Sequence, residues 1–529
     1  MFIRKNSGIA VILLCLAVFC CFCLLFSSKN YHRNKTHADV SVASIEAGEA
    51  LAIKYCQSCH LLPDPSMLDS KSWEKGVLPN MAPMLGIFFY GFERYPSFKN
   101  DKNLAANYYP SKQLLTFIEW QNLIDYYVAT SPDTLPEKNS RQSIKKEVSL
   151  FNVIAPSFYY ENPSTSYVHI NENNSGNALI ACDAIKQNIY FFNGKLDVID
   201  SIHNSQGPVV DIDFGKNEAL ACNIGFMNPT NNKLGKGQLI TFRNGQTSLD
   251  TLPLFDMLQR PVQITSSDLN KDGKKDYLVC EFGFLTGSLS WLQNLGNNQY
   301  KKNILRPYPG VIKAYIDDHN KDGFPDIWAL FTQGEEGIFL FTNKGNGSFQ
   351  QKEVLRFPPV YGSSYFEFAD MNKDGHPDVV YTCGDNSDHS PVLKPYHGVY
   401  IFINDGKYNF KQQYFFPVNG CYKAIARDFD KDGDVDIATI SFFADYSRKP
   451  EEGFVYLENT GNLQFTPFSL PETQQGRWLT MDAGDINKDG DIDLVLGNFS
   501  VAPTIIKSSS NWTKGPPFII LENVGKKKL

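Results

Sequence analysis

The sequence predicts two unlike parts, a small all-α domain followed by an all-β seven-bladed propeller. Three observations in its 529 residues carry this. Acidic segments of the form Asp-x-Asn/Asp-x-Asp-Gly-x-x-Asp begin at Asp268, Asp318, Asp370, Asp428 and Asp485, at intervals of 50, 52, 58 and 57 residues. Short apolar runs rich in Val, Ile, Phe and Tyr, broken by Gly/Asn/Asp turns, surround each segment and read as strands. Upstream the pattern changes to helical spacing around Cys56-Gln57-Ser58-Cys59-His60. The chain divides into residues 1–28, a signal peptide or N-terminal membrane anchor; 29–46, a polar linker; 47–137, the helical domain; and 138–529, the propeller.

At the N-terminus, Arg4 and Lys5 precede an uninterrupted apolar run of 18 residues, Ile9 to Phe26. A run of this length serves as a signal-peptide core or a short membrane span. Neither an Ala-x-Ala site nor a lipobox follows it, which favours an uncleaved anchor. Four cysteines, Cys15, Cys20, Cys21 and Cys23, lie inside this run.

In Cys56-Gln57-Ser58-Cys59-His60, two thiols and an imidazole have the spacing that covalent attachment of one c-type haem requires. The thiols add across the porphyrin vinyl groups, and the histidine is placed to bind the iron. A structural zinc site would need a second ligand pair nearby. After His60 the next histidine is His169 and the next cysteine Cys182, so none is at hand. Haem attachment occurs outside the cytoplasm, which places the chain in a bacterial periplasm or at the outer face of the inner membrane. The apolar Gly48 to Tyr55 stretch reads as a helix delivering the thiols. For a second axial ligand the sequence offers Met67, Met81 and Met84. Met67 follows His60 too closely to cross the haem without a very tight turn. Met81 and Met84 lie in a proline-containing stretch, 77–86, expected to be an extended loop. Leu114, Phe117, Ile118, Leu123, Ile124 and Tyr127 predict a closing helix over 113–130.

Taken together, the glycine-containing helix, the CxxCH motif, the Pro-Met stretch and the closing helix resemble a small class I cytochrome c. The resemblance to that family's Leu-Pro-x-Met pattern favours Met81 as the axial ligand, with Met84 as the alternative. His/Met ligation generally raises a haem potential.

Within the C-terminal region, stepping back by the repeat period finds two eroded copies, at Asp211 to Glu218 and at His169 to Gly176. That makes seven units of four strands each, the grammar of a propeller. The seventh unit runs out after its third strand. Lys146 to Phe151 resembles the fourth strand of unit four, so residues 147–154 are expected to complete the last blade. Cys182, Cys222, Cys280, Cys383 and Cys421 sit in or beside strand-like runs and read as small core residues.

The acidic segments offer oxygens at positions 1, 3, 5 and 9, a backbone carbonyl at 7 and a turn-permitting glycine at 6, a hard cage suited to about five Ca²⁺ ions. The expected ligands are Asp268, Asn270, Asp272 and Asp276; Asp318, Asn320, Asp322 and Asp326; Asp370, Asn372, Asp374 and Asp378; Asp428, Asp430, Asp432 and Asp436; and Asp485, Asn487, Asp489 and Asp493. The eroded copies lack enough acids for calcium. Strands on both flanks and a last acid at position 9 exclude an EF-hand. These loops give the region, over roughly 145 to 525, its resemblance to the FG-GAP/VCBS-repeat, integrin-alpha-like propellers.

If the acidic loops join first and second strands, the loops after the second strands emerge on the opposite face. There Asp385, His389, Lys394 and His397 are the best candidates for a ligand pocket. Three functions compete. The first is a periplasmic electron-transfer protein whose propeller binds a redox partner or ligand. The second is a propeller dehydrogenase passing substrate electrons to the haem. The third is a polysaccharide-binding or adhesion module with auxiliary haem. The repeats lack the tryptophan-rich motifs of quinoprotein blades, so an electron carrier is favoured over a self-contained oxidoreductase. The formal charge of −7 turns positive on binding five divalent ions. No basic patch supports a nucleic-acid role.

Overall fold

The computed structural model describes residues 31–137, 142–172, 177–243, 246–387, 389–501 and 512–525. The apolar run 9–26 lies outside them. No helix among the described residues is long and apolar enough to cross a membrane.

The N-terminal domain is built on two helices. Helix α1, Val42–Leu51, is capped by the Ser41 side chain, which accepts from the Ser44 N–H, and runs into a wider π turn, Ala52–Cys56. Helix α2, Phe117–Thr130, starts at a reciprocal capping box between Thr116 and Glu119. The two cross where α1 has no side chain: a Cβ on Gly48 would lie 2.0 Å from the Asn122 carbonyl oxygen. Ile45, Trp73, Leu78, Trp120, Leu123 and Tyr127 fill the core around this crossing. The stretch expected to be an extended loop is helical instead: Ser70–Ser72, Trp73–Val77, Leu78–Met81 and Ala82–Leu85 follow one another without a break. Pro79 and Pro83 each fall at the start of a segment where the turn changes type, from π to α and from α to 3₁₀. Residues 31–40 are likewise not a free linker. Asn34 is buried and donates its side-chain amide to the carbonyls of Val128 and Ser131, at the C-terminal end of α2.

The C-terminal region is a seven-bladed propeller of antiparallel sheets. The innermost strands, in blade order, are Thr165–Ile170, Val209–Phe214, Pro261–Ser267, Val311–Asp317, Ser363–Ala369, Cys421–Arg427 and Trp478–Gly484. The second blade carries an additional strand, Phe255–Leu258. In the seventh, Phe151–Ile154 pairs antiparallel with Phe518–Asn523 and forms the outermost strand, so the ring closes as the sequence predicts. Phe151 is buried there against Phe429 and Tyr456. The five propeller cysteines are buried.

The eroded copies are misaligned with the intact loops. Asp211 and Asp213 lie on the inner strand of blade 2, and only residues 215–217 form the turn that corresponds to an acidic loop. His169 is similarly an inner-strand residue of blade 1, paired with Asp482. In blade 2 the polar pattern that marks the copy begins on the strand lining the central channel; in blade 1 residues 173–176 of the copy lie outside the described residues.

The helical domain sits on the face opposite the acidic loops. Asn231 of blade 2 donates to Asp101 at 2.8 Å, and Tyr108 donates to the Leu285 carbonyl of blade 3 at 3.2 Å. Phe98 meets Phe284 edge-on at 5.0 Å. At blade 5 the Tyr396 hydroxyl donates to the Met67 carbonyl at 3.1 Å, while Val360, Val392 and Tyr396 join the helical core.

Candidate functional site

The thiol–imidazole cluster sits where α1 ends. Cys56 is the last residue of the π turn, half-buried, and Cys59 is exposed; both are free thiols. The Tyr127 hydroxyl of α2 lies beside the Cys56 thiol, whose pKa burial pushes up to about 11. His60 keeps one ring nitrogen, Nδ1, on the Leu61 carbonyl at 2.8 Å. An Nδ1–H donated to a carbonyl fixes the ring and leaves Nε2 as the lone-pair nitrogen. Burial holds the imidazole below its ordinary pKa. Two unpaired thiols on one turn and an imidazole oriented through Nδ1 fit the donor set of a c-type haem. Of the two candidate methionines, Met81 is partly buried and ends a helical turn, whereas Met84 is 41% exposed.

The five acidic loops connect first and second strands of blades 3 to 7 and share one hydrogen-bonded form. In each, the first carboxylate accepts the N–H of the sixth-position glycine, as Asp268 does from Gly273 at 2.9 Å and Asp428 from Gly433 at 3.0 Å. The fifth carboxylate accepts the N–H of residue seven. In four loops the third residue is asparagine, and its Nδ2 donates to the fifth carboxylate, for example Asn372 to Asp374 at 2.8 Å.

The fourth loop has no such amide. Oxygens of Asp428, Asp430 and Asp432 all lie within 4.8 Å of one another, and Asp428 Oδ1 has no hydrogen-bond partner among the described residues. Three carboxylates this close repel, and a hard divalent cation is the species that relieves them. The ninth-position aspartates stand apart from this cluster. Asp276, Asp326, Asp378, Asp436 and Asp493 are fully buried. One oxygen of each accepts a backbone N–H from the end of the third strand: Asn294, Asn343, Asn404, Asn459 and Asn523. In four of them the other oxygen accepts the N–H of loop position two. In the second loop it meets His319 instead. Burial raises Asp436 to about 7 and Asp493 to about 6.

The four residues expected to line a ligand pocket lie on the long loop of blade 5, beside the helical domain. Lys394 and His397 are completely buried, and a Cβ on Gly76 of the helical domain would lie 2.1 Å from the His389 carbonyl oxygen. Asp385 is partly buried and accepts from the Ser387 N–H within its own turn. His389 itself is exposed.

Two polar groupings were not anticipated. Around the channel, inner-strand side chains reach across to the backbone of the next blade. Asp211 accepts from Ile264 N–H, Gln263 from Ala314, Glu367 from Ala426 and Asp482 from Ile170. Burial raises Asp211 to about 6 and lowers Lys423 to about 8. Polar residues at alternate positions of otherwise apolar strands, as in Val209-Val210-Asp211-Ile212-Asp213, are the sequence signal for this latch. The second grouping is Arg306, Glu335 and Arg356, on the face that receives the helical domain, with Arg306 to Glu335 at 2.7 Å and Arg356 to Glu335 at 3.4 Å. It left no sequence signal, since its members come from two blades.

Residues 318–381, spanning two intact acidic loops and the strands between them, match an FG-GAP-like repeat. No curated protein sequence matches the chain. Among solved structures, the Pan2 WD40 domain of Neurospora crassa is similar at 10% identity and a TM-score of 0.42, covering 73% of this chain and 99% of that one. The chain thus carries an FG-GAP-like repeat within a seven-bladed β-propeller.

Proposed function

We propose that this chain is an envelope-located c-type cytochrome that transfers electrons, with a calcium-binding propeller serving as the platform for its helical domain and for a redox partner. The observation that carries the reading is the donor set at the end of α1: Cys56 and Cys59 free, and His60 oriented through Nδ1 on the Leu61 carbonyl. The close crossing of α1 and α2 at Gly48, with Trp73 and Tyr127 beneath it at a ring separation of 4.4 Å, supports it. A haem bound there would supply reversible one-electron chemistry. Cys56 and Cys59 would tether it, His60 would hold the iron on one side, and Met81 is the favoured ligand on the other, with Met84 the alternative.

Calcium in the five acidic loops has a structural role in this reading, joining first and second strands on the face away from the helical domain. The apolar run 9–26 anchors the chain to the inner membrane, with the domains on the periplasmic side.

Expression in a periplasm with c-type maturation machinery tests the proposal. The purified protein should retain haem through denaturing electrophoresis and show a low-spin reduced spectrum. Cys56→Ala/Cys59→Ala should abolish covalent retention, and Met81→Ala should abolish the low-spin spectrum while keeping the covalent bond. Absence of covalent haem from the parent protein would overturn the reading. Reduction of the haem by an added sugar or alcohol would move the assignment to a dehydrogenase.

A further inference from the structure

We propose that the helical domain rests on the lipid surface of the membrane that holds the run 9–26, through an apolar face formed by Ile53, Phe89, Phe92, Leu114, Phe117 and Ile118. The inference rests on the anchor reading of that run and adds to it the side of the domain that meets the bilayer.

The tether is short. The apolar run ends at Phe26, and from Tyr31 onward the chain is already part of the helical domain. The Tyr31 hydroxyl donates to Glu49 of α1, and Asn34 is held at the C-terminal end of α2. From Phe26 to Tyr31 the backbone reaches at most about 18 Å when fully extended. A domain of about 100 residues is wider than that, with a radius of gyration of ~13 Å. The helical domain is therefore confined to the headgroup layer or just above it.

Its exposed side chains select the face. Phe92, at the tip of the hairpin formed by Phe89–Tyr90 and Glu93–Arg94, is fully exposed, and Ile118 is 76% exposed. Ile53, Phe89, Leu114 and Phe117 are exposed as well. These residues are neighbours. Tyr90 of the hairpin lies 6.1 Å from the Phe117 ring and donates its hydroxyl to Gln121 of α2. The Tyr55 hydroxyl donates to the Leu114 carbonyl at 3.4 Å, which ties the turn carrying Ile53 to the start of α2. Glu49, which holds Tyr31, is one helical turn before Ile53, so the tether arrives at the edge of this face.

The propeller leaves the face uncovered, because its contacts run through Met67, Phe98, Asp101 and Tyr108 instead. Cations stand at the rim: Arg94 lies over the Phe89 ring at 5.8 Å, and Lys54 over Tyr55 at 5.0 Å. Glu119 is held in the Thr116 cap, and Glu93 is the one acid of the hairpin. A contiguous apolar face marks an interaction site. Aromatic and aliphatic side chains flanked by cations suit a bilayer interface that contains anionic lipid. A redox partner would also fit an apolar face, but the tether already brings lipid to this one.

The test uses the full-length protein in vesicles of phosphatidylethanolamine and phosphatidylglycerol, with p-benzoylphenylalanine placed in turn at Phe92, Ile118 and Leu295. Leu295 is 52% exposed beside an acidic loop, on the far side of the propeller, and is the control. On irradiation the first two positions should give lipid adducts by mass spectrometry and Leu295 none. Phe89→Asp/Ile118→Asp should cut the adduct at Phe92 by roughly tenfold, since burying one large apolar side chain is worth at least that factor. Both side chains are exposed, so the double variant is expected to fold, with circular dichroism as the check. No lipid adduct at Phe92 and Ile118, or an equal one at Leu295, in a chain that alkaline carbonate does not extract would overturn this inference alone. An adduct with another protein in place of lipid, on irradiation of intact cells, would do the same. A chain that carbonate extracts would overturn it together with the anchor reading.

Discussion

At the scale of single residues, Gly48 and Asp211 show how much one position can hold. Gly48→Ala would drive a methyl group into the Asn122 carbonyl and force α1 and α2 apart. The expected cost is about 1–3 kcal/mol, read as earlier thermal unfolding of the helical domain. For Asp211 the sign follows from its raised pKa, about 6 in the fold against about 3.9 in the unfolded chain. Between those values the folded protein holds a proton that the unfolded chain has released. This contribution to stability is therefore complete below pH ~4 and lost as the pH rises through about 6. Asp211→Asn should remove that loss and leave the variant about 2 kcal/mol more stable than the parent at pH 7, after allowance for partial solvent access. Urea denaturation at pH 4 and pH 7 measures it. The thiol–imidazole motif could be read from sequence because its spacing is local.

At the scale of elements, the acidic loop is the repeated device, and its sequence foretold both its place between first and second strands and its turn. What it did not foretell was a division of labour. The first, third and fifth side chains organise the loop, while the ninth is buried behind it and ties it to the end of the third strand. If calcium occupies these loops, a chelator should lower the melting temperature, and added calcium should restore it by mass action. Asp432→Asn should weaken this response most at the fourth loop, where three carboxylates converge. An unchanged melting temperature would count against calcium there. The stretch 77–86 shows the opposite failure. Its prolines read as helix breakers, yet each falls where the turn changes type, from π to α and from α to 3₁₀.

For the whole molecule, the seven-unit count and the short seventh unit were enough to predict ring closure. The closing strand is short, so its anchoring falls on Phe151, buried against Phe429 and Tyr456. Phe151→Ala should cost about 3–5 kcal/mol. Hydrogen exchange should then show Phe518–Asn523 losing protection before the inner strands do. The seating of the helical domain was beyond the sequence. Its contacts are single side chains scattered over blades 2, 3 and 5, with no periodicity to betray them.

That closure also imposes a calendar on the chain. Residues 151–154 leave the ribosome long before their partner, Phe518–Asn523. Throughout that interval the last blade is unfinished. Until blades 2 to 5 exist, nothing covers the face of the helical domain that they will later hold. Helix α2 and the rest of the helical domain are therefore made before the seat that blades 2 to 5 provide for them.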